Sequence, residues 1–138
     1  YRIEMGPKKD VFERKYCYGL GKPLSVKRME EAAACVLGEH DFKSFCMAAS
    51  AEGKPTHRNV REISFHPETV MGENLMSIKV VGNAFLHSMV RTIVGTLVMV
   101  GKGQRDADWV GEVLEACDRR VAGENAPAQG LVFWRVIY

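Results

Sequence analysis

The longest regular pattern of apolar residues runs from Leu86 to Val98. Apolar side chains recur there at intervals of three and four residues, at Leu86, Met89, Val90, Ile93, Val94, Leu97 and Val98. This spacing is that of one buried face of an α-helix, and we predict that it is the central helix of the fold. His87, Arg91 and Gly95 follow one another at intervals of four and therefore form a row beside this face.

Arg91 and Gly95 in that row indicate two kinds of contact. An arginine at the edge of a buried face keeps its stem in the core and its guanidinium at a boundary, where a carboxylate, a phosphate or a base can meet it. The simpler interpretation is a guanidinium that only reaches solvent, and the spacing alone favours it. Gly95 has no side chain, so another backbone or a ligand can approach closely there.

Two more helices are predicted on either side of this one. The first runs from Val26 to Leu37, with Ser25 as its N-cap and Gly38 as its C-terminal stop. The second begins at Asp106 or Asp108. Its predicted buried face consists of Trp109, Val110, Val113, Leu114 and Cys117.

Alternation of side chains predicts a hairpin before the central helix. The side chains of Val60–His66 are predicted to alternate between the two faces of a strand, with Val60 and Glu62 on one face and Ile63 on the other. The second strand of the hairpin is predicted at Leu75–Val81. The residues before it, from Ala48 to Asn59, are predicted to form a polar loop.

Two strands complete the predicted elements. One is the tail of a strand at Tyr1–Met5, and the other is a strand rich in β-branched and aromatic residues at Gly130–Tyr138. The pattern predicts an α+β fold in which helices pack against a largely antiparallel sheet. We expect residues 1–138 to form a single domain.

Composition excludes several classes of function. The chain is 46% hydrophobic and 26% charged, which is ordinary for a globular protein. A net charge of +2 is too small to indicate nucleic-acid binding unless basic residues cluster locally. Apolar runs are too short for a membrane span, so we expect no membrane partner. The four cysteines and four histidines lack metal-ligand spacing, so we predict free thiols, no metal site and an intracellular protein.

Three segments resemble the C-terminal half of the TruA-type tRNA pseudouridine synthases. They are residues 38–45 (GEHDFKSF), 83–97 (NAFLHSMVRTIVGTL) and 126–131 (APAQGL). They occur in the family's order and at its spacing. The resemblance implies an enzyme without a cofactor that isomerises uridine to pseudouridine in the anticodon stem and loop of tRNA.

The resemblance also implies a cleft between two pseudo-symmetric halves. The catalytic aspartate of the family belongs to an N-terminal half, and nothing similar to its glycine- and arginine-rich loop occurs in this sequence. We therefore expect this chain to be the C-terminal half, to supply half of a site, and to be inactive without its missing N-terminal half.

Residue roles follow from the same resemblance. Arg91 stands where the family has an arginine that pairs with the catalytic aspartate, and Leu131 where it has an apolar residue that packs on the target uracil. Tyr1 corresponds to a tyrosine that stacks on the flipped base. Phe85 and His87, in the matched helix segment, are predicted to contact the substrate. A leucine such as Leu131 is also compatible with ordinary core packing.

Contacts with RNA phosphates are predicted for basic residues in loops and strands. Lys54 and Arg58 are the principal candidates, together with Arg61, Arg119 and Arg120. For any single one of them a solvated surface charge is the simpler interpretation.

Two other classes of function fit the sequence. One is a non-catalytic RNA-binding module, because no aspartate present resembles a nucleophile. The other is a structural or dimerisation domain, since the central helix is apolar and the bacterial branch of the resembled family contains homodimers.

Overall fold

The structure is a computed structural model that describes residues 1–4, 18–19, 24–46, 55–70, 73–86, 88–127 and 131. Its elements in chain order are β1 (Arg2–Glu4), β2 (Tyr18–Gly19), α1 (Val26–Ala34), β3 (Gly38–Asp41), β4 (His57–Val70), β5 (Glu73–Gly82), α2 (Met89–Gly101) and α3 (Ala107–Ala116). Two 3₁₀ turns, Lys43–Phe45 and Arg119–Val121, lie before β4 and after α3. The α+β prediction is confirmed. The predicted terminal strand lies outside the described residues except for Leu131.

Five strands form one sheet in the order β2-β1-β5-β4-β3. β1 pairs in parallel with β2, and the remaining pairs are antiparallel. The predicted hairpin is the longest pair, and both its strands extend beyond the predicted ranges. The predicted loop ends earlier than expected, because residues 57–59 already pair with β3, a strand that the sequence pattern did not predict.

Val60 lies on the opposite face of β4 from the one predicted. It is fully buried, whereas Glu62 is exposed. Val60 pairs with Gly82 and Glu62 with the adjacent Val81, so Arg61 is an extra residue in β4. This β-bulge shifts the alternation of side chains between the two faces of β4 by one residue. Val60 therefore points into the core beside the helices.

Helix α1 begins as predicted, with the Ser25 hydroxyl accepting from Arg28 N at 3.4 Å. It ends at Ala34 instead of Leu37. The amides of Cys35 and Val36 donate to carbonyls three residues earlier, which tightens the last turn and directs the chain into β3.

Helix α2 is the central helix, as predicted, with ten of its thirteen residues buried. It begins at Met89, so Leu86 precedes the helix and accepts the Met89 amide through its carbonyl at 3.1 Å. One face of α2 joins the core, which is formed with α1, α3 and the aromatic rings of Phe42 and Phe45. On its other face Thr92, Gly95 and Thr96 are buried, and the chain that follows α3 lies against them.

Helix α3 begins at the predicted cap, where Asp106 Oδ1 accepts from Trp109 N at 3.0 Å. Val110, Val113 and Leu114 are buried as predicted, and Trp109 is only half-buried. The Arg105 guanidinium lies 5.1 Å from the centre of the Trp109 ring.

Candidate functional site

Residues 122–127, here called the strap, lie along the polar face of α2 and run antiparallel to it. Successive residues of the strap contact successively earlier residues of the helix: Gly123 contacts Thr96, and Ala126 contacts Arg91. At the Thr96 end, Gly123 N donates to the Thr96 hydroxyl at 3.1 Å. The strap thus satisfies polar groups of a helix face that would otherwise be buried without partners.

Gly95 lets the strap lie directly on the helix. A Cβ at Gly95 would lie 1.7 Å from the carbonyl oxygen of Glu124, a distance that no side chain can occupy. Gly123 is similarly constrained, since its Cβ would lie 2.9 Å from the Cα of Thr96. The predicted close approach at Gly95 is therefore confirmed, and the approaching group is a backbone of the same chain.

The middle of the strap is fixed by Asn125. The buried Thr92 hydroxyl lies 2.6 Å from Asn125 Oδ1 and 2.8 Å from the Ser88 carbonyl, and it shares its single hydrogen between them. Arg119 Nη2 donates to the same Asn125 oxygen at 3.2 Å. Neither Thr92 nor Asn125 stood out in the sequence, where a threonine in a helix and an asparagine in a loop are ordinary.

Arg91 is bound to the strap at Ala126. Its Nε donates to the Ala126 carbonyl at 2.8 Å, and the Ala126 amide donates back to the Arg91 carbonyl at 3.0 Å. Within the described part of the chain, its terminal nitrogens have no hydrogen-bond partner and no carboxylate lies within ion-pair distance. The guanidinium is therefore held to the strap through its Nε edge.

Tyr1 contacts the next residue of the strap. Its hydroxyl donates a short hydrogen bond to the Pro127 carbonyl, and its backbone exchanges hydrogen bonds with Ile78 in β5. The ring is 9% exposed and belongs to the core cluster. Its role as a base-stacking residue stays a prediction, but the structure does bring Tyr1 and Arg91 to consecutive strap residues.

Backbone geometry is unusual where α2 begins. Ser88, the N-cap, has φ 63° and ψ 10°, a left-handed conformation that is uncommon for a residue with a side chain. The preceding turn is held by Asn83, whose Oδ1 accepts from Asn59 N at 3.0 Å and from Ala84 N at 2.9 Å. Cys117, after α3, is the other described residue with a side chain at positive φ. Residues with such strain cluster at functional sites, and the start of α2 lies next to Arg91, so we take this end of the helix as a candidate site.

The remaining predicted site residues are placed as follows. Phe85 and Leu131 are large apolar residues with exposed side chains, at 37% and 39%. Arg58 lies on β4 opposite His40, on the β3 side of the sheet and away from Tyr1. His87 and Lys54 lie outside the described residues. The Leu131 side chain is accessible in this structure, and its role stays a prediction.

Several titratable groups of the described residues have shifted pKa values. A hydrogen bond from the Arg120 side chain, followed by one from its amide, lowers the pKa of Asp118 to about 2. Burial raises the pKa values of the Cys46 and Cys117 thiols. Cys35, Cys46 and Cys117 are free thiols, and no group of three His, Cys, Asp or Glu in the described ranges could hold a metal ion.

Comparisons with known proteins give one consistent result. A family model described as tRNA pseudouridine synthase matches residues 32–138. The chain is 40% identical over 138 residues to "tRNA pseudouridine synthase A" of Geobacillus sp. (strain WCH70), covering 100% of the chain and 54% of that relative. It is 45% identical over 139 residues to the protein of the same name from Brevibacillus brevis, again covering 100% of the chain and 54% of the relative.

A third relative, "tRNA pseudouridine synthase A" of Halalkalibacterium halodurans, is 43% identical over 135 residues, which is 98% of this chain and 49% of that protein. The chain thus spans about half the length of the curated relatives it matches. No helix in the described ranges combines the length and apolarity that crossing a bilayer requires. With its full length matched at this level of identity, the chain belongs to the tRNA pseudouridine synthase family.

Proposed function

We propose that this chain is the C-terminal half of a tRNA pseudouridine synthase, which isomerises uridine to pseudouridine in the anticodon stem and loop of tRNA. The observation that carries the proposal is the arrangement of Arg91, which is held through Nε at Ala126 and whose terminal nitrogens have no hydrogen-bond partner among the described residues. That ligand is the catalytic aspartate of the N-terminal half. The proposed reaction uses no cofactor.

An arginine suits this role for a physical reason. Isomerisation requires the uracil to leave the RNA stack and enter a pocket from which water is excluded. A carboxylate in such a pocket becomes harder to ionise, and an adjacent cation counteracts that effect. A guanidinium stays protonated and can offer two parallel N–H groups to a carboxylate, which an ammonium cannot.

Apolar and aromatic residues of this chain would form the wall for the flipped base. Leu131 follows the strap by four residues and has an accessible side chain, as a base-contacting leucine requires. Tyr1 borders the same strap through Pro127. Phe85, exposed just before α2, is a further candidate contact with the RNA.

The proposal implies two partners, the N-terminal half of the enzyme and tRNA. Homodimer formation stays a prediction that sedimentation of the chain would test. A chimera tests the function itself, with this chain replacing the matching 54% of the Geobacillus relative. We expect the chimera to release tritium from labelled uridine in a tRNA transcript, and this chain alone to release none.

Two results would contradict the proposal. Turnover by the chain alone would place the nucleophile within it. A chimera that is folded and binds tRNA but releases no tritium would favour a non-catalytic RNA-binding module. Arg91→Ala in the chimera serves as the control, since it should abolish turnover through loss of the guanidinium.

A further inference from the structure

Arg91 is held by a residue that has no polar side chain. The Ala126 carbonyl accepts from Arg91 Nε at 2.8 Å, and the Ala126 amide donates to the Arg91 carbonyl at 3.0 Å. Ala126 has only a methyl group beyond its backbone, so its neighbours in the strap must fix the direction of its carbonyl. The position of the guanidinium therefore depends on what holds the strap next to Ala126.

A second contact between the strap and α2 lies directly beside this pair. Asn125 precedes Ala126 in the strap, and Thr92 follows Arg91 in the helix. The Thr92 hydroxyl lies 2.6 Å from Asn125 Oδ1. A strap that is held at two adjacent residues cannot turn about a single contact, so the Ala126 carbonyl keeps its direction.

The Thr92 hydroxyl serves the strap more than it serves the helix. It reaches the Ser88 carbonyl at 2.8 Å, but that carbonyl already accepts the Thr92 amide at 2.9 Å. The distance to Asn125 Oδ1 is the shorter of the two. Thr92 is fully buried, so water does not compete for its hydroxyl. Holding Asn125 is therefore the contribution for which the hydroxyl is needed.

The Asn125 side chain is itself held from two sides. The same oxygen that contacts Thr92 accepts from Arg119 Nη2 at 3.2 Å. An arginine can only donate, which identifies the contacted atom as the amide oxygen and not the amide nitrogen. An amide oxygen has two lone pairs, and with both in use its orientation is fixed.

We propose that Thr92 and Asn125 are positioning residues for the guanidinium of Arg91. They act through Arg91 and not on the substrate itself. By holding the strap they keep the Ala126 carbonyl on Nε, which sets the plane of the guanidinium. Pairing between a guanidinium and a carboxylate depends on that plane. The consequence for turnover rests on the proposed function, whereas the position of Arg91 rests on the hydrogen bonds of this chain.

Two substitutions of Thr92 separate the hydrogen bond from packing. Thr92→Val keeps the size and removes the hydroxyl, whereas Thr92→Ser keeps the hydroxyl and removes a methyl group. In the chimera with the Geobacillus relative, Thr92→Val should lower kcat roughly 10- to 100-fold, because a small misplacement of a catalytic group is costly. The KM for tRNA should change little, and Thr92→Ser should keep most of kcat. The reverse order, with Thr92→Ser the more harmful variant, would overturn the proposal.

Asn125→Ala removes the other partner of the same bond. It should lower kcat to a similar extent as Thr92→Val. Because both variants break one contact, the double variant should lose little more than either single variant. Losses that multiply in the double variant would show two independent effects and would overturn the proposed link.

Thr96 provides a matched control on the same helix. It is also a fully buried threonine whose hydroxyl meets the strap, but its partner is Gly123 N, three residues before Ala126. Thr96→Val should therefore lower the stability of the chain, as Thr92→Val does, and keep most of kcat. Equal losses of kcat in the two variants would overturn the assignment, because any loosening of the strap would then suffice.

Hydrogen exchange at Arg91 Nε, followed by NMR in this chain, tests the same network without catalysis. Thr92→Val and Asn125→Ala each remove one hydrogen bond of ordinary strength, so exchange should become roughly 2- to 10-fold faster. Thr92→Ser and Thr96→Val should leave it close to wild type. Unchanged exchange in the first two variants would overturn the proposal. An unsubstituted chimera that releases no tritium would contradict the proposed function, and the exchange rates would still decide whether Thr92 and Asn125 position Arg91.

Discussion

Arg91 and Ala126 hold each other through two hydrogen bonds, one from the guanidinium Nε and one between backbones, at 2.8 and 3.0 Å. The pair fixes the position of the guanidinium and also attaches the strap to α2. Arg91 thus has a structural partner within this chain, besides the carboxylate partner that we propose from the other half. Its substitution should affect both stability and activity, to different extents.

Replacing Arg91 with lysine keeps the charge and removes the planar fork. Loss of the charged hydrogen bond to Ala126 should lower the free energy of unfolding of this chain by about 1.5 to 3 kcal/mol. Turnover of the chimera should fall on the order of 10²-fold, because a bidentate contact with the catalytic carboxylate is lost. Urea denaturation and tritium release measure the two effects. Normal turnover in Arg91→Lys would contradict the proposed role.

Tyr1→Phe removes the hydroxyl that donates to Pro127 and keeps the buried ring. The carbonyl loses a partner, so the free energy of unfolding should fall by about 1 kcal/mol. Because Tyr1 and Arg91 contact consecutive strap residues, their substitutions should not be additive. A double-mutant cycle with Arg91→Lys should give a coupling of at least about 0.5 kcal/mol, and strict additivity would show that the two contacts are independent.

Local periodicity was sufficient to predict the main elements. Six of the seven predicted apolar positions lie in α2, and Gly95 was correctly interpreted as a place of close approach. The Val60 error has a specific cause, since one extra residue at Arg61 reverses the alternation without any sign in the hydrophobic pattern. Strand β3 was missed because Gly38–Asp41 has little intrinsic strand preference and depends on pairing with β4.

The candidate site was less predictable because its contacts join distant residues. Tyr1 and Pro127 are separated by 126 positions, and Thr92 and Asn125 by 33. A sequence pattern reports neighbours within a helix or a strand. It carries no information on which loop covers a polar helix face, so the strap and its hydrogen bonds required the structure.

Leu131→Ala tests whether this leucine serves a ligand or the core. Truncating a buried leucine typically costs 2 to 5 kcal/mol, whereas a side chain that is 39% exposed should cost roughly 1 kcal/mol or less. We expect the chimera carrying Leu131→Ala to bind tRNA nearly normally and to lose turnover. A thermal melt of this chain provides the comparison. Parallel losses of stability, binding and turnover would mean that Leu131 acts through packing.

Acid should weaken the contact between Asp118 and Arg120. The folded-state pKa of Asp118 is about 2, below its ordinary value of 3.8, so ionised Asp118 stabilises the fold above pH 4 and loses this effect as the pH falls towards 2. Asp118→Asn should reduce the change in the free energy of unfolding with pH between about pH 4 and pH 2. Asp108→Asn, at an exposed position outside the pair, is the control, and an equal change in both variants would contradict the assignment.

Gly95→Ala should be the most disruptive small substitution in α2. Its Cβ would lie 1.7 Å from the Glu124 carbonyl oxygen, so the strap must move away from the helix. Overpacking of this kind typically costs about 1 to 3 kcal/mol. The displaced strap would also release Ala126 from Arg91, so the chimera should lose turnover together with stability.

Gly111→Ala in α3 is the matched control for that substitution. It is also a glycine within a helix, but apart from its chain neighbours and the backbone of its own helix no heavy atom lies within 4 Å of its added Cβ. Alanine has the higher helix propensity, so Gly111→Ala should stabilise the chain by about 0.5 to 1 kcal/mol and leave turnover unchanged. Urea denaturation of both variants gives the comparison. If Gly95→Ala proved as harmless as Gly111→Ala, the strap could shift at little cost, and it could not be the element that positions Arg91.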